Sequence, residues 1–186
     1  LNLWAGSTTD GAYLTAPWHV VQAGAGETRI GALHATGKDD LYQQLHGLGD
    51  PLIHDTEIIP TLWRKLAINC AINPLTALHN CKNGTLVTTP DYLAQMAAIC
   101  LEVEQVAARL NIPLFGTPLL EQATRVATLT ANNNSSMQQD IYHQRPTEIE
   151  TITGYLCQQA RQVGLATPLN ERLLQQIRQL SAASAR

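Results

Sequence analysis

The sequence has 186 residues, of which 45% are hydrophobic and 15% charged, and its formal net charge at pH 7 is −3. This composition is ordinary for a globular protein. The absence of a Lys/Arg cluster argues against nucleic-acid binding and against attachment to an anionic membrane. No apolar run approaches the roughly 20 residues that a membrane-spanning helix needs. The four cysteines are scattered and lack metal-site spacing, so we expect reduced thiols in or near the core of a cytoplasmic protein.

The first 54 residues combine β-prone segments with one short helix. The opening residues Leu1 to Gly6 are typical of a strand with no preceding turn or cap, which indicates a truncated amino terminus. Two further strands are predicted at 18–22 and 28–33, and a helix is predicted at 39–48.

Gly24, Ala25 and Gly26 lie between the two predicted strands and are typical of a hairpin turn. With Gly31 they superficially resemble a dinucleotide-binding fingerprint. The glycine spacing is wrong for GxGxxG, and a strand follows where a phosphate site requires a helix amino terminus. We therefore interpret these residues as a β-turn.

From Ile58 onward the pattern is helical. Ile59, Leu62, Leu66 and Cys70 repeat at helical spacing. The sequence Thr89-Pro90-Asp91 predicts a helix start, with a capping hydroxyl, proline in the first turn and an acid facing the helix dipole. The chain is therefore predicted to be mainly α, with a small α/β part at 1–54 and an all-helical domain at 55–186. Further helices are predicted at 118–130, 137–144, 147–163 and 170–180.

Three polar residues interrupt an otherwise apolar helix. Lys65, Asn69 and Asn73 are four residues apart, and each step of four advances a helix by only about 40°, so the three form one stripe. Such a helix is usually buried, and buried polar groups need partners. A bound polar ligand could supply those partners. On spacing alone, a structural hydrogen-bond network or an exposed stripe is the better interpretation.

A second polar concentration covers residues 132–136. Ser136 with Gln139 fits a capping box. Glu148 follows in the predicted first turn of the next helix, where an acid is favoured by the dipole alone. Taken by themselves, these features need no functional explanation.

Two long segments nevertheless resemble the signatures of the ketopantoate reductase family. The first is LWRKLAINCAINPLTALHNCKNG at 62–84, and the second runs from NNSSMQQD at 133–140 to Glu148. A weaker similarity covers the loop from Gly6 to Ala12 together with His19, although Asp10-Gly11 departs from the His-Ala that other members can have. The three segments follow in the family's order.

The resemblance implies roles for seven residues. Lys65 and Glu148 would be catalytic, and Glu148 would also contact the cofactor. Ala12 would touch the dinucleotide. The substrate would be bound by Asn69, Asn73, Asn83 and Ser136.

The resemblance also implies a fold and a reaction. The fold would be a helical domain like the carboxy-terminal domain of 6-phosphogluconate dehydrogenases, preceded by a remnant of a Rossmann-type NADP-binding domain. The reaction would be NADPH-dependent reduction of 2-dehydropantoate (ketopantoate) to (R)-pantoate in pantothenate biosynthesis. The glycine-rich cofactor loop is not in the sequence, so we expect the 186 residues alone to be inactive and to bind NADPH poorly.

Two other interpretations stay open. The chain could be a non-catalytic helical fragment that mediates dimerisation or binding, and a homodimer is left open in either case. It could also come from a related dehydrogenase that acts on another 2-hydroxy acid. Neither interpretation involves a metal, a nucleic acid or a membrane.

Overall fold

The computed structural model describes residues 3–34, 41–45 and 52–184. Backbone contacts divide the chain into two compact units, Leu1–Leu62 and Trp63–Arg186. The first unit holds the strands, and the helices dominate the second. The prediction of a mainly helical chain with a small sheet near its amino terminus is confirmed.

The first unit contains a three-stranded sheet and a separate hairpin. Strand β4 (Thr28–His34) lies in the centre of the sheet, antiparallel to β1 (Leu3–Thr8) and parallel to β5 (Leu52–His54). The hairpin pairs β2 (Gly11–Ala16) with β3 (His19–Gly24).

The hairpin predicted around residues 24–26 is wrong. Strand β3 pairs with β2 across a turn at Trp18, which has a positive φ of 66°. Gly26 instead packs against the Thr9–Asp10 backbone, where an added Cβ would lie 2.3 Å from the carbonyl carbon of Thr9. Its amide donates to the Asp10 carboxylate at 2.8 Å, and this bond is the main reason that the pKa of Asp10 is lowered. The glycine therefore permits a close approach between two loops.

Of the helix predicted at 39–48, the structure shows α1 at Leu41–Leu45, and the rest lies outside the described residues. Strand β5 was not predicted from the sequence. After β5, the Asp55 carboxylate accepts a hydrogen bond from Thr61 at 2.6 Å and so stabilises the start of the next helix. Gly31 in β4 makes room for this connection, because an added Cβ would lie 2.1 Å from the Asp55 carbonyl oxygen.

Within the described part of the chain, every regular element from Ile58 onward is helical, as predicted. The segment expected to be one α-helix at 147–163 begins with a π-helical turn, in which the Gly154 amide donates to the carbonyl of Ile149 at 2.9 Å. The elements are α2 (Ile58–His79), α3 (Thr85–Thr88), α4 (Pro90–Arg109), α5 (Leu119–Leu129), α6 (Ser136–Tyr142), the π-turn (Glu150–Gly154), α7 (Tyr155–Gln162) and α8 (Pro168–Ser184).

Helix α4 organises the second unit, because it contacts α3, α5, α7 and α8. It begins after Thr89 as predicted, although the Thr89 side chain makes no capping hydrogen bond. Two glutamates of α4 cap other helices. Glu102 is buried and accepts hydrogen bonds from the Leu169 and Asn170 amides of α8, at 2.9 and 3.0 Å. Glu104 accepts one from the Leu119 amide of α5 at 2.6 Å.

The cysteines are free, and three of them lie in the core as expected, with Cys81 half-buried. Burial raises the pKa of Cys70 and Cys157, and it raises the pKa of Cys100 to about 12. These thiols are therefore protonated at neutral pH and are poor nucleophiles. Among the residues that the structure describes, no helix is long and apolar enough to cross a bilayer.

Candidate functional site

Helix α2 carries the polar stripe. Lys65, Asn69 and Asn73 all lie within this continuous helix, so their spacing places them on one face, as predicted. Burial increases along the stripe: Lys65 is exposed, Asn69 is half-buried, and Asn73 is only 8% exposed. Of the alternatives left open by the spacing, exposure therefore applies to the Lys65 end of the stripe and burial to the Asn73 end. The stripe leads from solvent at Lys65 into the protein interior.

Thr76 extends the stripe by one turn. Eleven residues separate it from Lys65, which on a helix of 3.6 residues per turn amounts to a rotation of only about 20°. Its side chain is fully buried, and its hydroxyl oxygen lies 2.7 Å from that of Ser135. This contact fixes the loop before α6 to the buried end of the stripe.

Ser135, and not Ser136, caps α6. The Ser135 hydroxyl accepts a hydrogen bond from the Gln138 amide at 3.1 Å, so the predicted capping box that begins at Ser136 is wrong. Ser136 is the first residue of α6, and its side chain is exposed. Among the described residues, it makes no hydrogen bond to another side chain. Since its neighbour Ser135 does the capping, the Ser136 hydroxyl is available to a ligand.

Asn83 joins the same cluster from the loop after α2. Its amide nitrogen Nδ2 donates to the Thr130 hydroxyl at 2.9 Å, and its backbone N–H donates to the Asn133 carbonyl at 3.0 Å. Its side-chain oxygen Oδ1 is buried and accepts no hydrogen bond from the residues that the structure describes. A buried acceptor without a donor is costly.

Gly84 allows these two loops to touch. Its amide donates to the Ala131 carbonyl at 3.2 Å. An added Cβ at Gly84 would lie 2.6 Å from the Cβ of Ala131. Close packing of this kind requires glycine. The loops at 80–84 and 130–135 therefore pack directly against each other at the carboxyl end of α2.

The segment after Glu148 packs against the first half of α2. The rings of Trp63 and Tyr155 lie 6.0 Å apart, and the Thr153 side chain faces the buried Cys70 sulfur. Glu148 lies just before the π-turn, where its carbonyl accepts from the Ile152 amide at 3.0 Å. Its carboxylate is exposed. The segment that follows Glu148 thus packs against α2, which forms most of the first signature segment.

The π-turn is also fixed from its other side. Arg178 of α8 forms a two-point ion pair with Glu150, at 2.6 and 2.7 Å. The hydrogen bonds from Arg178 lower the pKa of Glu150. π-Turns occur often at functional sites, and this one follows Glu148 directly.

Ala12 lies in β2 of the first unit, where it is exposed and pairs with Gln22 of β3. Across the described residues, no group of three or more His, Cys, Asp and Glu side chains could hold a metal ion. Thr76 and Ser135 were not among the residues predicted from the sequence. Helical spacing alone could have identified Thr76, because it follows Asn69 by seven residues and so lies on the same face.

Residues 57–181 match the family model described as "Ketopantoate reductase PanE/ApbA C terminal". The 2-dehydropantoate 2-reductase of Vibrio cholerae is 43% identical over 94% of this chain, which spans 59% of that protein's length. A crystal structure of a PanE/ApbA family ketopantoate reductase from Ralstonia eutropha superposes with a TM-score of 0.87 at 24% identity, over 98% of this chain and 60% of that one.

A D-mandelate dehydrogenase bound to NADH and anilino(oxo)acetate superposes with a TM-score of 0.85 at 24% identity, over 98% of this chain and 61% of that one. The two structural similarities establish a shared fold. The family model covers more than half of the chain, and its range contains Lys65, Asn69, Asn73, Asn83, Ser136 and Glu148. The chain therefore belongs to the ketopantoate reductase PanE/ApbA family and matches the carboxy-terminal part of its members.

Proposed function

We propose that the protein reduces ketopantoate to (R)-pantoate with NADPH, in pantothenate biosynthesis. The observation that carries this proposal is the contact of the second signature segment, through Ser135, with α2, which forms most of the first signature segment. Thr76 contacts Ser135 at one end of the stripe, and Trp63 lies against Tyr155 toward the other. Membership of the reductase family supports the reaction, and the side chains gathered here suit it.

Lys65 is the proposed proton donor. Reduction of a keto group needs a hydride, which NADPH supplies when bound, and a proton for the developing alkoxide. An exposed ammonium at the open end of the stripe can polarise the substrate carbonyl and then protonate the alkoxide. Glu148 is proposed to act with Lys65.

The other polar groups suit ketopantoate, which has a carboxylate and a hydroxyl. Ser136 and the amide of Asn73 can donate hydrogen bonds to the carboxylate without adding charge. Asn83 Oδ1 is a buried acceptor that needs a donor. The substrate hydroxyl would supply that donor, whereas a keto acid without a hydroxyl would leave the acceptor unsatisfied. Asn69 is proposed as a further substrate contact on the stripe.

The cofactor contacts in this chain are proposed to be Ala12 and Glu148. The Glu148 carboxylate is exposed and can accept a hydrogen bond from a hydroxyl or an amide of the dinucleotide. We propose that residues 1–54 are the end of a Rossmann-type nucleotide-binding domain and that residues 55–186 form the substrate domain. The parallel pairing of β4 with β5 supports a nucleotide-binding origin for the first part. The cytoplasmic location stays a prediction.

The test is an assay of the full-length protein, including any segment that precedes residue 1 in its open reading frame. Ketopantoate should cause oxidation of NADPH, and pantoate should form in equal amount. An aromatic 2-keto acid of the mandelate type and 2-oxo-3-methylbutanoate, which lacks the hydroxyl, serve as comparison substrates. A higher kcat/KM for either of them than for ketopantoate would refute the substrate assignment. The absence of any NADPH oxidation would refute the reaction itself.

A further inference from the structure

Thr76 is a buried polar residue for which the proposed chemistry has no direct use. It is 0% exposed, and its hydroxyl lies deep in the second unit, one turn beyond Asn73. A structural threonine in a helix can satisfy its hydroxyl with a backbone carbonyl of the preceding turn. Thr76 has such carbonyls, from Ile72 and Asn73, each at 3.0 Å. The further contact with Ser135 is therefore not needed to satisfy Thr76 itself.

That contact joins two segments far apart in sequence. The Thr76 and Ser135 oxygens are 2.7 Å apart, across 59 positions of the chain. Each hydroxyl has one hydrogen and two lone pairs. Together, the two hydroxyls can donate to a helix carbonyl, hydrogen-bond to each other and accept from the Gln138 amide at the same time. The pair thus links the end of the α2 stripe to the capping residue of α6.

We propose that Thr76 is a positioning residue, which holds Ser136 in register with Asn73 so that both can bind the carboxylate of a 2-keto acid. This inference rests on the proposed function. Ser136 follows Ser135 directly, so any shift of Ser135 moves the Ser136 hydroxyl as well. In this proposal Thr76 does not itself touch the substrate, and it acts only through its contact with Ser135.

Other contacts hold the same loop but do not duplicate this one. The Gly84 and Asn83 amides bind the carbonyls of Ala131 and Asn133, earlier in the loop. The Gln138 side chain binds Asn80 at 2.8 Å, one turn later in α6. Without the Thr76 hydroxyl the segment should stay folded, while the orientation of the two serines between these anchors loosens.

The test compares Thr76→Val, which removes the hydroxyl at nearly constant shape, with Thr76→Ser, which keeps it. The matched control is Thr167→Val, because Thr167 is also a buried threonine but lies just before α8. All are made in the full-length protein, and kcat, the KM values for ketopantoate and NADPH, and the Tm are measured. Thr76→Val should raise the KM for ketopantoate about tenfold. This is the low end of the rise in KM expected when a hydrogen bond to a charged group is lost completely.

In the same variant, kcat and the KM for NADPH should change less than about threefold, since neither depends on the carboxylate contact. Thr76→Ser should restore the KM, and Thr167→Val should leave it unchanged. An unaltered KM in a folded Thr76→Val protein would overturn the inference, as would an equal KM rise in Thr167→Val. If Thr76→Val does not fold, a raised KM in Thr76→Ser would count against the inference and a normal one would support it. Failure of the wild-type protein to reduce ketopantoate would instead refute the proposed function.

Discussion

At the scale of single residues, two adjacent serines have different tasks. Ser135 is buried and caps α6, whereas Ser136 is exposed at the first helical position. The sequence pattern fits a cap at either serine, since Gln138 and Gln139 lie three residues after Ser135 and Ser136 respectively. The serine that caps is the one that contacts Thr76, which lies 59 positions earlier and therefore outside any local pattern.

Ser136→Ala should therefore raise the KM for ketopantoate and leave kcat nearly unchanged. Losing one hydrogen bond to a charged carboxylate costs about 1.5–3 kcal/mol, or roughly 10-fold to 150-fold in affinity. That bond is present in the ground state and in the transition state alike. Steady-state kinetics with ketopantoate as the varied substrate measures both parameters. A fall in kcat equal to the fall in kcat/KM would contradict the assignment of Ser136 to substrate binding.

At the scale of elements, periodicity located the helices well but not their internal irregularities. Helices α2 and α4 follow directly from apolar spacing and from proline at the start of α4. The π-turn at Glu150 was missed, because nothing in the local residues distinguishes an i→i+5 bond from an α-helix. Its tertiary anchors, Arg178 and the packing of Thr153 against Cys70, lie elsewhere in the chain.

The capping of other helices by glutamates of α4 should contribute measurably to the free energy of unfolding. Glu102→Ala should lower the free energy of unfolding by about 2–4 kcal/mol, because it removes a buried acceptor and leaves the Leu169 and Asn170 amides unpaired. Glu121→Ala, at an exposed position in the first turn of α5, is the control and should cost under about 1 kcal/mol. Urea unfolding measures both. Equal losses would show that the capping contacts contribute little.

The ion pair that fixes the π-turn predicts a dependence of stability on pH. Arg178 lowers the pKa of Glu150 below its ordinary value of 4.5, so the pair stabilises the folded state above that pH and is lost as the pH falls through the lowered pKa. Both side chains are more than half exposed, so the gain is small. Glu150→Gln should be slightly less stable than wild type at neutral pH and equally stable at about pH 2. A difference in urea midpoints that persists at low pH would contradict this assignment.

At the scale of the whole molecule, the helical unit was predictable and the strand pairing was not. Apolar periodicity identifies a helix from its own residues, whereas the pairing of β1 with β4 depends on contacts between residues far apart in the chain. Gly26 illustrates the difficulty. Its local sequence is typical of a turn, yet the position needs glycine because the Thr9–Asp10 backbone lies against it.

Several proposed site residues were identified from family resemblance, and spacing alone favoured a structural explanation for them. The structure adds what spacing could not: increasing burial from Lys65 to Asn73, and the unsatisfied oxygen of Asn83. The chain spans about three fifths of the Vibrio cholerae relative, at 59%. Activity is therefore to be measured on the full-length protein.

The catalytic role proposed for Lys65 is tested most directly by comparing kcat for ketopantoate reduction between Lys65→Ala and the wild-type protein. Lys65 is proposed to supply both the charge that stabilises the alkoxide and the proton that neutralises it. The variant should therefore lose at least about two orders of magnitude in kcat. Its Tm should stay close to that of wild type, because the side chain is exposed. A folded Lys65→Ala protein with near-normal kcat would show that the lysine is not catalytic and would contradict the proposed mechanism.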